Sequence, residues 1–388
     1  MSGSSIPSRR SAVAPFLAMD VLREARRLEA GGRHIVHMEL GEPGFPTPRL
    51  VRAAAAAALS EGRLGYGEAA GEPSLRAKIA RHYAERYGVE VAADRVLMTT
   101  GSSGGFLLAF LAGFDPGARI GVATPGYPAY LNILEALGLV AAPIPLSEET
   151  RFAPTAALVE AAHRREPLAG LLLMSPANPT GATIAADELQ KICAFCAEAG
   201  IAFVSDEIYH RLEHQGFAQT ALRFSQDAIV VNSFSKYYAM TGWRLGWIVA
   251  PENLVRPMER LQQSLAICAP MLAQRAALAA FDAQEELDSF KASYARNRAL
   301  LLDRLPKLGL ARFAPPDGAF YVYADVTPFT RDSAGFCARM LEEAGVATTP
   351  GLDFDRARGA GAVRFSYAGP EAEVALGMER LEAWLARG

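Results

Sequence analysis

The chain has 388 residues, of which 51% are hydrophobic and 21% are charged, and its formal net charge is −3. This length exceeds what one hydrophobic core usually supports, so we expect two domains, and the composition is typical of a globular protein in water. The charge balance gives no reason to expect a nucleic-acid partner, and no stretch is long and apolar enough to span a bilayer.

The N-terminal region predicts a short disordered segment followed by a helix. Residues 1–11 are rich in Ser and Arg, and we expect them to be disordered. The apolar stretch 12–19 is too short for a secretory signal and lacks a cleavage site. Charged residues follow it in the pattern of an amphipathic helix that ends at Gly31-Gly32. The absence of a signal and the lack of a cysteine framework predict a cytoplasmic protein.

The central part of the chain predicts a mostly parallel sheet. After a strand-like stretch at 35–40, an alanine-rich helix reaches Ser60 and a second helix covers 75–87. Short β-branched and apolar runs then alternate with helical stretches, which favours a parallel sheet covered on both faces. These runs are 96–98, 120–123, 171–174, 201–204, 228–231 and 246–249.

The C-terminal part predicts a second, smaller α+β domain. Residues 254–305 read as mostly helix, interrupted near Pro270, and strands are expected at 318–323 and 361–367.

Cys193 and Cys196 lie in a helical stretch with apolar neighbours, so we expect packing rather than redox or metal chemistry. His210 and His214 are four residues apart, and we interpret them as an exposed helix face and expect no metal site.

Polar residues follow each of the central apolar runs. Ligands bind outside the carboxyl ends of the strands in open α/β sheets, so these segments predict a binding site. They are 99–105, 124–127, 175–181, 205–209 and 232–236.

Lys236 is the most informative residue among these segments. A lysine at a buried strand end loses hydration, which favours the neutral, nucleophilic amine that forms Schiff bases with carbonyls. Nearby hydroxyls and Arg244 suit a phosphate group, so together they indicate pyridoxal phosphate. Ser233 and Lys236 also spell the S-x-x-K motif of serine acyltransferases, but this serine ends a strand and the companion K-T-G and S-D-N motifs are missing.

Four motifs together resemble the pyridoxal-phosphate-dependent aminotransferases of fold type I, class I/II (aspartate-aminotransferase-like). They are Asn-Pro-Thr-Gly at 178–181, Asp-Glu-Ile-Tyr at 206–209, Ser-Phe-Ser-Lys at 233–236 and Gly-Trp-Arg-Leu-Gly at 242–246. The resemblance extends from about Pro15 to the C-terminus. It implies an α/β fold in which a mostly parallel seven-stranded sheet lies between helices, with a smaller α+β domain. The implied boundaries are 1–45 for an N-terminal arm, 46–285 for the large domain and 286–388 for the small domain.

The resemblance also implies roles for individual residues around pyridoxal 5'-phosphate. Lys236 would hold the cofactor as a Schiff base and move the substrate proton, and Asp206 would pair with the pyridine nitrogen. Tyr209 and Asn178 would hydrogen-bond its phenolic oxygen. The remaining cofactor-binding residues would be Gly101, Ser102, Ser103, Ser233 and Arg244 at the phosphate, Tyr127 against the ring, and Tyr66 reaching the phosphate of the neighbouring subunit in a homodimer with shared sites.

The same resemblance predicts the reaction and the substrate contacts. Arg364 would bind the substrate α-carboxylate, with Gly41 and Asn178 beside it. We expect a transaminase that exchanges an amino group between an α-amino acid and an α-keto acid. A lyase or decarboxylating enzyme of the same fold stays open as the alternative. No motif locates a second arginine for a dicarboxylic substrate. A DNA-binding regulator of this fold would need an additional N-terminal domain, for which we expect the residues before Pro15 to be too few.

Overall fold

The computed structural model describes residues 7–62 and 64–387. Of the segment 1–11, for which we predict disorder, residues 1–6 lie outside the described residues, and Arg9–Ser11 form a 3-10 turn. The helices are α1 (Leu17–Ala30), α2 (Arg49–Ser60), α3 (Pro73–Tyr87), α4 (Gly101–Gly113), α5 (Pro128–Leu137), α6 (Ala156–Arg165), α7 (Ala186–Ala199), α8 (Glu252–Leu265), α9 (Met271–Ala277), α10 (Gln284–Lys307), α11 (Ser333–Arg339) and α12 (Glu371–Leu385). The strands are β1 (Val36–His37), β2 (Val96–Thr99), β3 (Arg119–Thr124), β4 (Val140–Pro145), β5 (Gly170–Met174), β6 (Ala202–Asp206), β7 (Ile229–Ser233), β8 (Gly246–Val249), β9 (Tyr321–Asp325), β10 (Val346–Ala347), β11 (Thr349–Pro350) and β12 (Ala362–Ser366).

Seven of these strands form the large sheet, in the order β2-β8-β7-β6-β5-β3-β4. Only β8 runs antiparallel to its neighbours, so the predicted mostly parallel sheet is confirmed. Every residue of β2, β5, β7 and β8 is buried, because helices cover both faces. This arrangement explains why these strands appear in the sequence as continuous apolar runs.

The edge strand β4 is the one strand of this sheet that the apolar runs did not indicate. Its sequence contains Pro143 and Pro145, both exposed, and only Ala142 and Ile144 are buried. Proline donates no hydrogen bond and is tolerated in a sheet mainly at an edge, so the strand has a weak sequence signature.

Two smaller sheets lie in the second part of the fold. Strands β11, β12 and β9 form an antiparallel sheet in which Arg364 of β12 lies opposite Thr349 and Tyr323. Strand β1 pairs in parallel with β10, which places the N-terminal part of the chain against the C-terminal part. The predicted strand at 35–40 is therefore only two residues long.

Helix α1 packs over this two-stranded sheet. Ala25 and Leu28 form a small apolar cluster with Ile35, Leu341 and Ala347. The helix ends where predicted, with Gly31 at its C-cap. In the described part of the chain, no helix combines the length and apolar character needed to cross a membrane.

The structure shows the burial and the hydrogen bonds of the cysteine and histidine pairs. Cys193 and Cys196 are buried in α7 as free thiols, which confirms the packing interpretation. The helix-face interpretation of His210 and His214 is wrong, because residues 208–211 form turns and His210 is buried. The Tyr87 hydroxyl and His210 Nδ1 are hydrogen-bonded at 2.7 Å, and His214 Nε2 donates to the Ala319 carbonyl at 2.9 Å. Within residues 7–62 and 64–387 no group of His, Cys, Asp and Glu is arranged to hold a metal ion.

Candidate active site

A cavity of about 570 Å³ lies where the carboxyl ends of β5 and β6 meet α1, α4 and β12. Ten of the thirteen residues that the sequence predicts for the site line it: Gly41, Ser102, Ser103, Tyr127, Asn178, Asp206, Tyr209, Lys236, Arg244 and Arg364. Helix α1 forms one wall with Phe16, Ala18, Met19, Leu22 and Arg26. The fold therefore brings together residues that are as many as 323 positions apart in the sequence.

Lys236 follows β7 and is partly buried in this cavity. Its Nζ donates a hydrogen bond to the Gly41 carbonyl at 2.7 Å. Burial lowers the pKa of Lys236 to about 8, because removal from water disfavours the ammonium form. A substantial fraction of this lysine is therefore the neutral, nucleophilic amine near physiological pH.

Asp206 ends β6 and is 1% exposed. Its Oδ1 accepts a hydrogen bond from the Ile208 N–H at 3.0 Å, and its Oδ2 accepts one from the Tyr130 hydroxyl. Burial raises the pKa of Asp206 to about 7. Because the following residues form turns, Asp206 does not cap a helix here. A carboxylate held in this way suits a cationic partner inside the cavity.

The N-terminus of α4 points its first turn toward the same cavity. The helix begins at Gly101, so Ser102 and Ser103 belong to its first turn. A Cβ atom at Gly101 would lie 2.6 Å from Nη2 of Arg244, so the glycine allows the guanidinium to approach the helix start. The free N–H groups of a helix N-terminus and a guanidinium together form a site for an anion.

Arg244 has a left-handed backbone conformation with φ 51°, which is uncommon for a residue other than glycine. Its Nη1 donates to the Thr241 carbonyl at 3.1 Å. Such conformations occur at sites where the surrounding structure imposes them, which directs attention to a functional role for Arg244.

Ser233 does not face the cavity. Its hydroxyl donates to the Leu245 carbonyl at 2.9 Å, is hydrogen-bonded to the Ser235 hydroxyl at 2.9 Å, and is buried. Ser235 lines the cavity instead. Two serines in alternate positions of the same motif cannot be distinguished by spacing alone, and only the path of the chain after β7 shows which one points inward.

Arg364 is 3% exposed and lies near the centre of the small antiparallel sheet. Its Nη1 donates to Asn178 Oδ1 at 2.9 Å, and its Nη2 donates to the Glu39 carbonyl and to Thr349 Oγ1. The rings of Tyr321 and Phe354 lie 4.5 and 4.7 Å from its guanidinium carbon. Among the described residues all of its hydrogen-bond partners are uncharged, so this buried cation is not directly paired with a carboxylate.

Tyr321 was not predicted for the site, although it lines the cavity and fixes two residues that were. Its hydroxyl is hydrogen-bonded to the Tyr209 hydroxyl at 2.6 Å. The same hydroxyl occupies the space beside Gly41, where a Cβ atom would lie only 1.7 Å away. The close approach of Tyr321 therefore explains why residue 41 is a glycine.

Tyr66 lies outside the cavity of its own chain. It is 83% exposed in the loop between α2 and α3. Leu59, Leu64, Leu265 and Ile267 are also exposed apolar residues, and they lie in or beside this loop and the end of α8. We call Tyr66 and these four residues the apolar patch. Gln262 of α8 donates to the Ala69 carbonyl at 2.6 Å, which holds the two segments together.

Comparisons with known proteins agree with this geometry. Residues 33–381 match the family described as aminotransferase class I and II. The chain is 50% identical over 380 residues to a protein of Mycobacterium tuberculosis named valine–pyruvate aminotransferase, with 97% of each chain covered.

Solved structures of aminotransferases also resemble this chain. A crystal structure of an aminotransferase from Mycobacterium tuberculosis superposes with a TM-score of 0.96 at 49% identity, covering 99% of this chain and all of that chain. A Thermus thermophilus aspartate aminotransferase structure with maleate gives a TM-score of 0.92 at 32% identity, covering 98% of this chain and all of that chain. The relatives are transaminases, which does not favour the lyase alternative. The chain belongs to the class I and II aminotransferases and is an enzyme that exchanges amino groups between amino acids and keto acids.

Proposed function

We propose that this aminotransferase uses pyridoxal 5'-phosphate and acts on an aliphatic α-amino acid and an α-keto acid. The observation that carries the proposal is the convergence of Lys236, Asp206 and Arg364 in one cavity. Each offers one of the groups that the reaction needs, namely an amine, a carboxylate and a guanidinium. When bound, the cofactor would supply an electron sink for the negative charge that develops at the substrate Cα.

The residues present fit this cofactor at both of its ends. The first turn of α4 and Arg244 offer N–H donors and positive charge suited to a phosphate, with Ser102, Ser103 and Ser235 beside them. At the other end, Asp206 would accept a hydrogen bond from the protonated ring nitrogen. The pKa of Asp206 is raised by burial, and a cation at this position would offset the cost of ionising the carboxyl group.

The side walls also suit an aromatic ring with a phenolic oxygen. Tyr127 lines the cavity and packs edge-on against Phe16 and Tyr130, with ring centroids 5.9 and 5.3 Å apart. Asn178 uses its Oδ1 on Arg364, so its amide N–H donors remain for a ligand oxygen. Tyr209 presents a hydroxyl that is already oriented by Tyr321.

Lys236 would be the residue that holds the cofactor aldehyde and then transfers the proton at the substrate Cα. A general base works best when its pKa lies near the working pH, and burial brings the pKa of Lys236 to about 8. The Gly41 carbonyl, 2.7 Å from Nζ, orients the amine within the cavity.

Arg364 would bind the α-carboxylate that every α-amino acid and α-keto acid carries. Its guanidinium is buried and is not directly paired with a carboxylate in the described part of the chain, so an anionic ligand would compensate the charge. Asn178 and Thr349 hold it in place, and the flanking rings of Tyr321 and Phe354 restrict its orientation.

The α1 wall supports an aliphatic side chain on the substrate. Apart from Arg26, the residues of this wall, Phe16, Ala18, Met19 and Leu22, present apolar surface, and burying it against an apolar substrate is favourable. The name of the Mycobacterium tuberculosis relative, valine–pyruvate aminotransferase, supports the same substrate class.

We also infer a homodimer with shared active sites, formed over the apolar patch. Groups of exposed large apolar residues commonly mark protein interfaces. A groove of about 550 Å³ that includes Trp243, Pro270 and Leu272 shares Glu42 and Thr241 with the active-site cavity. A partner seated there would lie beside the mouth of the cavity, which supports a role for Tyr66 in the partner's site.

The domain boundaries 1–45, 46–285 and 286–388 are part of the proposal. Strands β9 to β12 fall within 286–388, and β1, within 1–45, pairs with β10, which supports joining the N-terminal arm to the small domain. We also propose a cytoplasmic location, which the four free cysteines support because thiols stay reduced in that compartment.

Half-reactions test the proposed function. The purified enzyme with pyridoxal 5'-phosphate would be mixed with valine, alanine, leucine, aspartate or glutamate, and the cofactor absorbance followed. We expect a fast change with valine and other aliphatic amino acids and a slow change with aspartate. Release of the matching keto acid confirms transamination, whereas release of ammonia or carbon dioxide instead would contradict it.

A further inference from the structure

A second buried ionic group lies next to Arg364. Glu39 is 0% exposed, and its main-chain carbonyl accepts a hydrogen bond from Arg364 Nη2. The carboxylate of the same residue does not pair with this arginine. Its Oε1 accepts a hydrogen bond from His37 Nδ1 at 2.7 Å, while its Oε2 has no hydrogen-bond partner among the described residues.

The Arg364 side chain also has a polar atom without a hydrogen-bond partner. Its Nε is buried and also has no hydrogen-bond partner in the described part of the chain. A buried carboxylate and a buried guanidinium attract each other strongly, because the interior screens charge less than water does. Because the main chain of Glu39 already contacts Arg364, its carboxylate is a competitor for the guanidinium within the same chain.

The His37 ring binds the Glu39 carboxylate. Residues 37 and 39 lie on the same side of the extended chain, while Val36 and Met38 face α12, where they would contact a Cβ atom at Gly377. The second ring nitrogen of His37, Nε2, donates to Glu29 Oε1 at 3.0 Å, and Glu29 lies in the last turn of α1. Because both ring nitrogens face carboxylates, which only accept hydrogen bonds, His37 is an imidazolium here.

The charges around His37 support this protonation state. The pKa of His37 is raised to about 9, mainly by the hydrogen bond to Glu39 and further by Glu29, against the opposing effect of burial. Glu29 faces the ring from α1, and Glu39 faces it from the segment just after β1.

We propose that His37, anchored by Glu29, is a positioning residue that keeps the Glu39 carboxylate engaged, so that the Arg364 guanidinium stays free for the substrate carboxylate. This inference rests on the proposed role of Arg364. It assigns a function to a histidine and two carboxylates outside the cavity lining. In the absence of the imidazolium, the Glu39 carboxylate would be buried without a partner and would turn toward Arg364, which its own main-chain carbonyl already contacts.

The test measures how tightly the holoenzyme binds isovalerate, a carboxylate with the valine carbon skeleton but no amino or keto group. It should inhibit competitively by occupying the carboxylate site. In His37→Gln we expect its inhibition constant and the KM for valine to rise roughly ten-fold, with kcat nearly unchanged. His34→Gln is the matched control, because His34 also pairs with an acidic residue, Glu373 at 3.4 Å, but away from this site. It should bind isovalerate as the wild type does.

The double variant separates positioning from general stability. In His37→Gln/Glu39→Gln the competing carboxylate is gone, so we expect isovalerate binding to return to within about two-fold of the wild type. If the double variant binds as weakly as His37→Gln or more weakly, the histidine has only a structural role and the inference is overturned. An unchanged inhibition constant in His37→Gln overturns it as well.

Two further variants separate the proposed role of His37 from the proposed role of Arg364. Glu29→Gln removes the outer anchor on the surface of α1 and should raise the inhibition constant in the same direction by a smaller factor, even if His37→Gln folds poorly. Arg364→Gln should weaken isovalerate binding strongly in every background. If Arg364→Gln leaves binding unchanged, the proposed role of Arg364 fails, which is a different result from failure of the His37 inference alone.

Discussion

The Nζ atom of Lys236 and the carbonyl oxygen of Gly41 are 2.7 Å apart, and this hydrogen bond joins the segment after β7 to the loop after β1. The lysine follows a strand of the large sheet, whereas the loop continues from the strand that pairs with β10. The proposed nucleophile is therefore positioned by contacts from both parts of the fold. Changes in this loop should affect the lysine even though no side chain of the loop reacts.

Replacement of Lys236 by alanine should abolish transamination. The variant would lose both the amine that holds the cofactor and the base that moves the Cα proton. We expect Lys236→Ala to purify with cofactor that denaturation releases completely, or with none. Treatment with borohydride followed by mass spectrometry checks this, and a cofactor adduct that persists on the variant would assign the covalent link to another residue.

Asp206→Asn should keep part of its cofactor but react at least about a hundred-fold more slowly in the valine half-reaction. An amide cannot stabilise a protonated ring nitrogen as a carboxylate does, while the phosphate contacts remain. Tyr130→Phe is a milder change at the same carboxylate, because it removes only the hydroxyl that donates to Asp206. We expect it to show a smaller loss and a shifted cofactor absorbance. Wild-type rates and spectra in Asp206→Asn would show that this carboxylate has only a structural role.

Gly41→Ala tests the close packing of Tyr321 against the loop. The new Cβ atom would lie 1.7 Å from the Tyr321 hydroxyl oxygen, so one of the two must move. We expect a lower melting temperature and a raised KM for valine, since the Tyr209–Tyr321 pair and the Lys236 contact would both be displaced. Gly41→Ala/Tyr321→Phe removes the obstructing oxygen and should recover part of the stability. Equal stability of Gly41→Ala and wild type would show that the loop adapts without cost.

His37 predicts a specific dependence of stability on pH. Its folded-state pKa is raised to about 9 from an ordinary value of 6.5, so the folded protein binds its proton more tightly. The stabilisation is therefore fully present below about pH 6.5 and is lost as the pH rises through about 9. Between these values the wild type should lose melting temperature faster than His37→Gln. Parallel curves for the two proteins would mean that the imidazolium contributes nothing to folding.

Much of this site could be predicted from the sequence, since short motifs lie at consecutive strand ends. Asn178, Asp206 and Lys236 follow buried strands, and the topology of a parallel sheet brings such positions to one edge. Their chemical roles stay predictions until they are tested.

Other residues that shape the site could not be identified from the sequence. Tyr130 and Tyr321 lie within ordinary apolar patterns, and only the three-dimensional contacts show that they hold Asp206 and Tyr209. The pairing of His37 with Glu29 depends on how α1 packs over β1, which no local pattern of residues specifies.

The dimer prediction rests on Tyr66 and its surroundings. Tyr66 is 83% exposed and does not line the cavity of its own chain, so a role at the active site would have to be played in another subunit. If Tyr66 reaches the phosphate in the partner subunit, each site contains residues from two chains and isolated monomers should be inactive. Size measurement by light scattering should give a dimer, and Leu265→Lys/Ile267→Lys, which places charges in the apolar patch, should weaken it.

Complementation between two inactive variants tests the shared site directly. Lys236→Ala lacks the amine, and Tyr66→Glu places a negative charge where the phosphate of the partner would bind, so each homodimer should be nearly inactive. In a mixed dimer, the chain that keeps Lys236 receives an intact Tyr66 from the other chain, and that one site should recover activity well above both parents. Phenylalanine in place of glutamate would be a weaker test, because loss of a single hydroxyl costs only about 1–2 kcal/mol.

The control for complementation pairs Lys236→Ala with Arg364→Ala. Both residues line the cavity of the same chain, so in that mixed dimer one site lacks the amine and the other lacks the guanidinium. No activity should return even when native mass spectrometry shows that mixed dimers form. Recovery in this control would mean that subunits supply Lys236 or Arg364 to each other. Conversely, if the Lys236→Ala and Tyr66→Glu mixture stays inactive while mixed dimers are present, Tyr66 does not complete the partner's site, and the exposed loop must have another role in assembly.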